Sequence, residues 1–328
     1  MNYPRITVIT PSFNQGHLIE ETINSVLDQN YPDLEYIVID GGSTDATLEV
    51  IKKYEHKIAY WTSEPDGGQS EAINKGLRRA TGDIVTWLNS DDLFLPGTLQ
   101  TIPGLFAGHN AALVHGKTIL FGDGIKEQIK AAEETDLHVR YLSGMAFPQP
   151  SSFFKRSVLV EQGLLDESLH YGMDYDFVAR IALNYEIVKA DGVFSKYRLH
   201  ESSKSVALSN RFALDWARVF SRVLRSFEFT ASLIESMREL KLYIEGDDRY
   251  RVTKKFSPAD IDKAFLYFLK FQIGWHYESL DTQAVNRIAG FLKQRAPAFY
   301  AEHELRNLHL RARFLGKPAI SFLRAFSR

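Results

Sequence analysis

Four acidic segments hold the side chains of this chain best suited to chemistry. Trp87-Leu88-Asn89-Ser90-Asp91-Asp92 continues an apolar run that begins at Ile84 and stops at two adjacent carboxylates. Asp40 ends a second apolar run and leads into Gly41-Gly42-Ser43-Thr44-Asp45. Asp66 opens Gly67-Gly68-Gln69-Ser70, and Asp174 stands in Gly172-Met173-Asp174-Tyr175-Asp176. Acids at the carboxyl ends of buried strands face the crevice where open α/β sheets bind ligands. Hard oxygen ligands there suit a magnesium or manganese ion holding a diphosphate. Such an ion offsets the charge that develops on a departing diphosphate.

Each segment also has a local reading. Ser90, Asp91 or Asp92 can cap the helix expected near Pro96. Asp40 can offer its carboxylate to a ribose hydroxyl or a base edge while glycine backbone comes close, or it can close a turn. The glycines after Asp66 permit a tight turn before a helix N-terminus that favours an anion; an ordinary connection has the same composition. Asp174 and Asp176 suit the first turn of a helix, and either also suits a general base that takes a proton from an acceptor hydroxyl. His200, in Tyr197-Arg198-Leu199-His200, is a metal or phosphate ligand or a plain surface histidine. No Gly-x-Gly-x-x-Gly follows the first strand, which argues against a nicotinamide enzyme.

These residues need a frame. Residues 5–10, 35–40, 59–62 and 83–88 read as strands, and 17–29, 47–54 and 69–79 as helices, so strand and helix alternate as in a parallel sheet. A helix is expected over 96–106, strands over 111–115 and 118–121 around a turn, and late strands over 187–190 and 193–198. Lys126 to Arg140 reads as a helix or a mobile loop, and 122–148 is a candidate lid. After about residue 206 strand patterns give way to long helical periodicities. The expected division is 1–205 for an α/β domain and 206–328 for a helical region.

The chain has 328 residues, no cysteine and a net charge of -2. Disulfides and thiolate metal sites are excluded, and bulk charge gives no reason to expect nucleic acid. No leader pattern or membrane-spanning apolar stretch is evident, so a cytoplasmic protein is expected. Residues 305–328 carry six basic residues interleaved with apolar ones and no acid. That pattern is either a basic amphipathic surface for anionic lipid, peripheral on the inner membrane face, or a helix docked on the body.

In order, Ile9-Thr10-Pro11-Ser12-Phe13-Asn14, Ile39-Asp40 through Asp45, Asp66-Gly67-Gly68 with Ala72-Ile73-Asn74-Lys75-Gly76, Ala80-Thr81-Gly82-Asp83, Trp87 through Asp92, and Asp174-Tyr175-Asp176 with Arg180 resemble the inverting family 2 glycosyltransferases. The resemblance covers about residues 4–205. It implies a GT-A fold, with a mostly parallel central sheet and flanking helices. It implies a nucleotide diphosphate sugar as donor, a divalent ion (Mn2+ or Mg2+), and a sugar or lipid-linked acceptor in cell-surface polysaccharide or glycolipid assembly. Pro11, Asp40 and Asp66 would serve the nucleotide pocket, and Gln149 a pocket-lining segment. Asn89-Ser90-Asp91 occupies the family's Asp-x-Asp place, with Asn where the first acid stands. Asp91 would then be the principal metal ligand with Asp92 beside it, His200 would complete the metal and diphosphate site, and Asp174 would be the catalytic base. The alternatives are a sugar nucleotidyltransferase, whose glycine- and arginine-rich first loop is not matched by Pro-Ser-Phe-Asn-Gln, and a non-catalytic nucleotide-sugar-binding subunit.

Overall fold

The computed structural model describes residues 3–200, 209–302, 305–315 and 319–320. The chain divides into two compact units, Met1–Thr135 with Met145–His200, and Asp136–Gly144 with Glu201–Arg328.

In the first unit the elements run β1 (Ile6–Ser12), α1 (Ile19–Leu27), β2 (Leu34–Asp40), α2 (Thr47–Tyr54), β3 (Tyr60–Ser63), α3 (Gln69–Arg79), β4 (Ile84–Trp87), β5 (Leu93–Phe94), α4 (Thr98–Gly108), β6 (Leu113–Gly122) and β7 (Ile125–Lys130). The short helix α5 (Leu137–Arg140) belongs to the second unit, and β8 (Ser152–Lys155), α6 (Ser157–Gln162), α7 (Met173–Asn184) and β9 (Ile187–Arg198) complete the first. The strands form one sheet in the order β3-β2-β1-β4-β8-β6-β9-β5, with β7 paired to β6. The half β3-β2-β1-β4 is parallel, β8 is antiparallel to both its neighbours, and β6 and β9 are again parallel.

Every residue of β1 is buried, as a parallel strand covered on both faces requires. Helix α1 turns Ile19, Thr22, Ile23 and Val26 inward, one side of a 3.6-residue period. Ile19, Ile23 and Val26 pack with Ile6, Val8, Val38 and Leu88 in the core. Register then aligns the acidic ends. Ser12 lies opposite Asp40, and Asp40 opposite Ser63. Leu88 N–H continues beside β1 by donating to the Ile9 carbonyl at 2.9 Å.

Three sequence expectations change. The turn expected between 115 and 118 is absent, and the late strands expected over 187–190 and 193–198 are one; β6 and β9 run through both places with a shifted register. The glycines there serve close approach: a Cβ on Gly116 or Gly192 would each come 2.4 Å from the Phe194 ring. The segment 126–140 is neither one helix nor a loop. Ile125–Lys130 is a strand folded back on β6, and Asp123-Gly124, with Gly124 at φ +71°, is a hairpin signal the helical reading passed over. Asp136–Gly144 groups with the helical unit, which also divides the candidate lid. The Asp136 carboxylate accepts from Lys263 Nζ at 2.7 Å and Tyr267 Oη at 2.8 Å, and Arg140 lies 3.9 Å over the Tyr267 ring.

The helical unit is built on Ser209–Arg225, Pro258–Glu278 and Thr282–Arg295, with Phe220 stacked on Phe268 at 4.2 Å. A capping box between Ser257 and Asp260 starts the second of these helices. Of the basic tail, the helix Leu305–Phe314 buries Leu305 and Ala312, while Leu310 and Phe314 are exposed. Residues 316–318 and 321–328 lie outside the described residues. Among the described residues no helix is long and apolar enough to cross a membrane.

Candidate active site

Strand β4 delivers Asn89 to Asp92 at the carboxyl edge of the sheet, where Asp92 N–H closes a turn onto the Asn89 carbonyl at 3.1 Å. The Asp91 Oδ2 and His200 Nε2 atoms lie 3.0 Å apart, and both side chains are about one-fifth exposed (19% and 21%). Arg198 brings the end of β9 to this place. Its Nε donates to the Asp91 carbonyl at 3.1 Å, its Nη2 to Glu21 at 2.7 Å, and its backbone N–H to Asp92 Oδ1 at 3.0 Å.

Asp92, expected beside Asp91 at the ligand, is instead turned inward and fully buried. Its carboxylate holds the Arg198 backbone and receives the Asn89 Nδ2 at 3.3 Å. Burial, and then the Asp91 charge, push its pKa well above the usual carboxylate range. Asn89 links this acid to the start of α3, since its Oδ1 accepts from Gln69 Nε2 at 2.7 Å. Gln149 is tied to the end of β4 by donating to the Trp87 carbonyl at 2.9 Å.

Asp40 is also fully buried. Its Oδ2 accepts from Gly42 N–H (3.1 Å), Ser43 N–H (2.8 Å) and Ser63 Oγ (2.6 Å), and its Oδ1 from Ser43 Oγ (2.5 Å). In this structure the acid, expected at the nucleotide, fastens its own loop and the end of β3. Pro11 is likewise buried within β1, opposite Ile39, and does not line the surface. Asp66 is partly exposed. It lies against Gly41, where a Cβ would come 3.0 Å from its Oδ2, and it accepts from Gly68 N–H at 2.8 Å. Burial raises its pKa, with smaller contributions from Glu71 and Asp40. Gly68 has φ +123°, a conformation side chains rarely adopt.

Helix α7 starts at Met173 behind Gly172. Asp176 is buried against Arg180 at 2.8 Å, so Asp174 is the acid of the pair at the surface. The segment before it is fastened to α3. Ser70 Oγ meets Met173 Sδ at 2.7 Å, and the His170 Nδ1 is 4.0 Å from where a Cβ on Gly68 would lie. Asn89, Gln69, Ser70 and Met173 thus form a continuous chain of neighbours from the β4 edge to Asp174. Sequence reasoning quoted Gln69, Ser70, Asn74 and Arg198 within motifs but gave none of them a role; Arg198 ends β9 two residues before His200.

Among the described residues no group of three His, Asp or Glu side chains is arranged to hold a metal ion. Asp91 and His200 supply one carboxylate and one imidazole, a donor set that fits a magnesium- or manganese-type ion taking its other positions from phosphate oxygen and water.

A central sheet of this order with acidic loops along its carboxyl edge is the GT-A fold. A profile for Glycosyl transferase family 2 matches residues 7–163. An uncharacterised glycosyltransferase of Mycobacterium tuberculosis is 33% identical over 193 residues, spanning 56% of this chain and 71% of its own length. TuaG of Bacillus subtilis, provisionally assigned to teichuronic acid biosynthesis, is 44% identical over 100 residues, 30% of this chain and 40% of its own. Among solved structures, the mannosyltransferase PcManGT from Pyrobaculum calidifontis in complex with GDP-Man and Mn2+ has a TM-score of 0.57 at 19% identity, covering 95% of this chain and 86% of that one. The chain belongs to glycosyl transferase family 2 and is a glycosyltransferase.

Proposed function

We propose that this enzyme moves a sugar from a nucleotide diphosphate sugar to an acceptor hydroxyl in one displacement that inverts the anomeric configuration. The observation that carries this reading is the Asp91–His200 pair, joined at 3.0 Å across 109 residues of sequence. Asp91 and His200 would hold a manganese or magnesium ion, which when bound neutralises charge on the departing diphosphate. The loops that follow Pro11, Asp40 and Asp66 receive the nucleotide, with Asp40 fixing its own loop from inside and Asp92 holding the Arg198 backbone beside Asp91. Asn89 and Gln149 keep the end of β4 in place. Asp174 accepts the proton of the acceptor hydroxyl as that oxygen attacks the anomeric carbon from the face opposite the diphosphate. A base in this role needs reach and a site that excludes water, since donor hydrolysis is the competing reaction.

Family membership favours this reading over a sugar nucleotidyltransferase and over a non-catalytic binding subunit. The acceptor is a cell-surface polysaccharide or a glycolipid, a choice supported by the provisional teichuronic acid assignment of TuaG. The functional division is residues 1–205 for transfer and 206–328 for the helical region, with 136–144 attached to the latter. The enzyme works in the cytoplasm, and residues 305–328 bring it to the inner membrane face, where a lipid-linked acceptor resides. Exposed Leu310 and Phe314 beside Arg306, Arg311 and Arg313 support that contact. Deleting 305–328 is expected to lower co-sedimentation with anionic vesicles; equal binding ends the membrane reading.

The deciding test is a thermal-shift screen of nucleotide diphosphates and their sugars with and without manganese. A ligand that binds the native state raises its melting temperature. At least one donor should stabilise the protein in a manganese-dependent way, and a screen in which none does overturns the proposal.

A further inference from the structure

Asn74 lies in α3 and is 1% exposed. All of its amide hydrogen-bonding is spent on one segment. Its Nδ2 donates to the Leu165 carbonyl at 2.9 Å and to Glu167 Oε1 at 2.8 Å, and its Oδ1 accepts from Leu165 N–H at 3.0 Å. One turn earlier Ser70, also buried, bonds the Leu169 carbonyl at 3.3 Å and meets Met173 Sδ at 2.7 Å. Arg78, one turn later, adds an ion pair to Glu167 at 3.3 Å. One helix face therefore fastens residues 165–173 at successive turns. That segment runs into the first turn of α7, where Asp174 stands. The amino end of α3 is the Asp66-Gly67-Gly68 loop, so the same rigid helix borders the nucleotide loop and the base.

We propose that Asn74 is a positioning residue for the transfer reaction. Its amide sets the backbone of 165–173, and through it the place of Asp174 relative to the donor loop. Buried amide bonds of this kind have one satisfied geometry, and a base displaced by about 1 Å loses on the order of 100-fold in rate.

The inference rests on Asp174 being the base, and the test separates the two. The probe reaction is release of nucleoside diphosphate from UDP-N-acetylglucosamine or GDP-mannose in manganese, whichever the native enzyme turns over, with water as acceptor. Asn74→Ala and the milder Ser70→Ala are compared with Asp174→Asn. Asn74→Ala is expected to lower kcat roughly 10- to 100-fold while KM for the donor and the thermal shift given by the nucleoside diphosphate stay within about twofold. Ser70→Ala should show a smaller loss of the same kind. If both variants keep native kcat while Asp174→Asn is inactive, Asn74 has no such role. If kcat and nucleotide affinity fall together, Asn74 is merely structural and the inference is overturned. If Asp174→Asn itself keeps native turnover, the underlying reading of the base fails first.

Discussion

The Asn89 amide nitrogen lies 3.3 Å from the buried Asp92 carboxylate, while the oxygen of the same amide receives Gln69. An asparagine can do both; an aspartate cannot donate. Asn89→Asp is therefore expected to remove a donor and add a like charge beside an acid that has no access to water. Stability at neutral pH should fall by about 1–3 kcal/mol, read as a lower urea midpoint with unchanged slope. A variant as stable as the native enzyme would show that the amide does not support Asp92.

Asp91→Asn and His200→Ala each remove one half of the pair joined at 3.0 Å. Both variants should fold, since both side chains keep some exposure. The expected result is a manganese requirement shifted to higher concentration and kcat/KM lowered roughly 100-fold or more, measured by metal titration of donor turnover. Native metal dependence in either variant would remove that residue from the site.

Asp174→Asn keeps the helix start and the bond from Tyr175 N–H to the position-174 side chain, which is 2.8 Å in the native structure. Turnover is expected to drop roughly 100- to 10 000-fold, with the nucleotide-induced thermal shift retained. Retained turnover would falsify the assignment of the base.

His115 provides a pH prediction away from the site. It is fully buried and stacked on Phe147 at 4.0 Å. Burial, and then Lys189, bring its pKa from 6.5 to about 3. Between those values the unfolded chain binds a proton that the folded chain does not, so stability falls as pH drops below 6.5 and the loss is complete near 3. The slope from this one group is about 1.4 kcal/mol per pH unit. His115→Phe keeps a ring at the stack and should flatten the decline between pH 7 and 5 relative to the native enzyme. Parallel curves of urea midpoint against pH would refute this.

The parallel half of the sheet was legible because β1, β2 and β4 are largely apolar runs and because β2 and β3 lead into loops that hold an acid and glycines. The same rule failed at Asp191-Gly192, where the glycine admits the Phe194 ring instead of turning the chain. Proximity of Asp91 to the acidic edge could be read from spacing. The inward turn of Asp92 could not, because adjacent residues in a turn face different ways and only the distant Arg198 N–H decides which is buried. Asn74 stood inside a recognised motif, yet its partner, Leu165, is 91 residues away and leaves no mark in its neighbourhood. Local pattern reports the strand and helix periods; the long-range polar contacts that orient each acid are set by tertiary packing.

Phe194 sits between Gly116 and Gly192, and its carbonyl accepts from Leu95 N–H and Thr98 Oγ1. Four residues on, the same strand ends at Arg198, whose backbone and guanidinium grip the Asp91-Asp92 turn. A single methyl at position 116 would dislodge the phenyl ring and, through the strand that carries it, loosen the Asp91-Asp92 turn it never touches. Substitutions in that unassuming seam would thus mimic the loss of Asp91 or His200 in an assay, although both side chains would still be present.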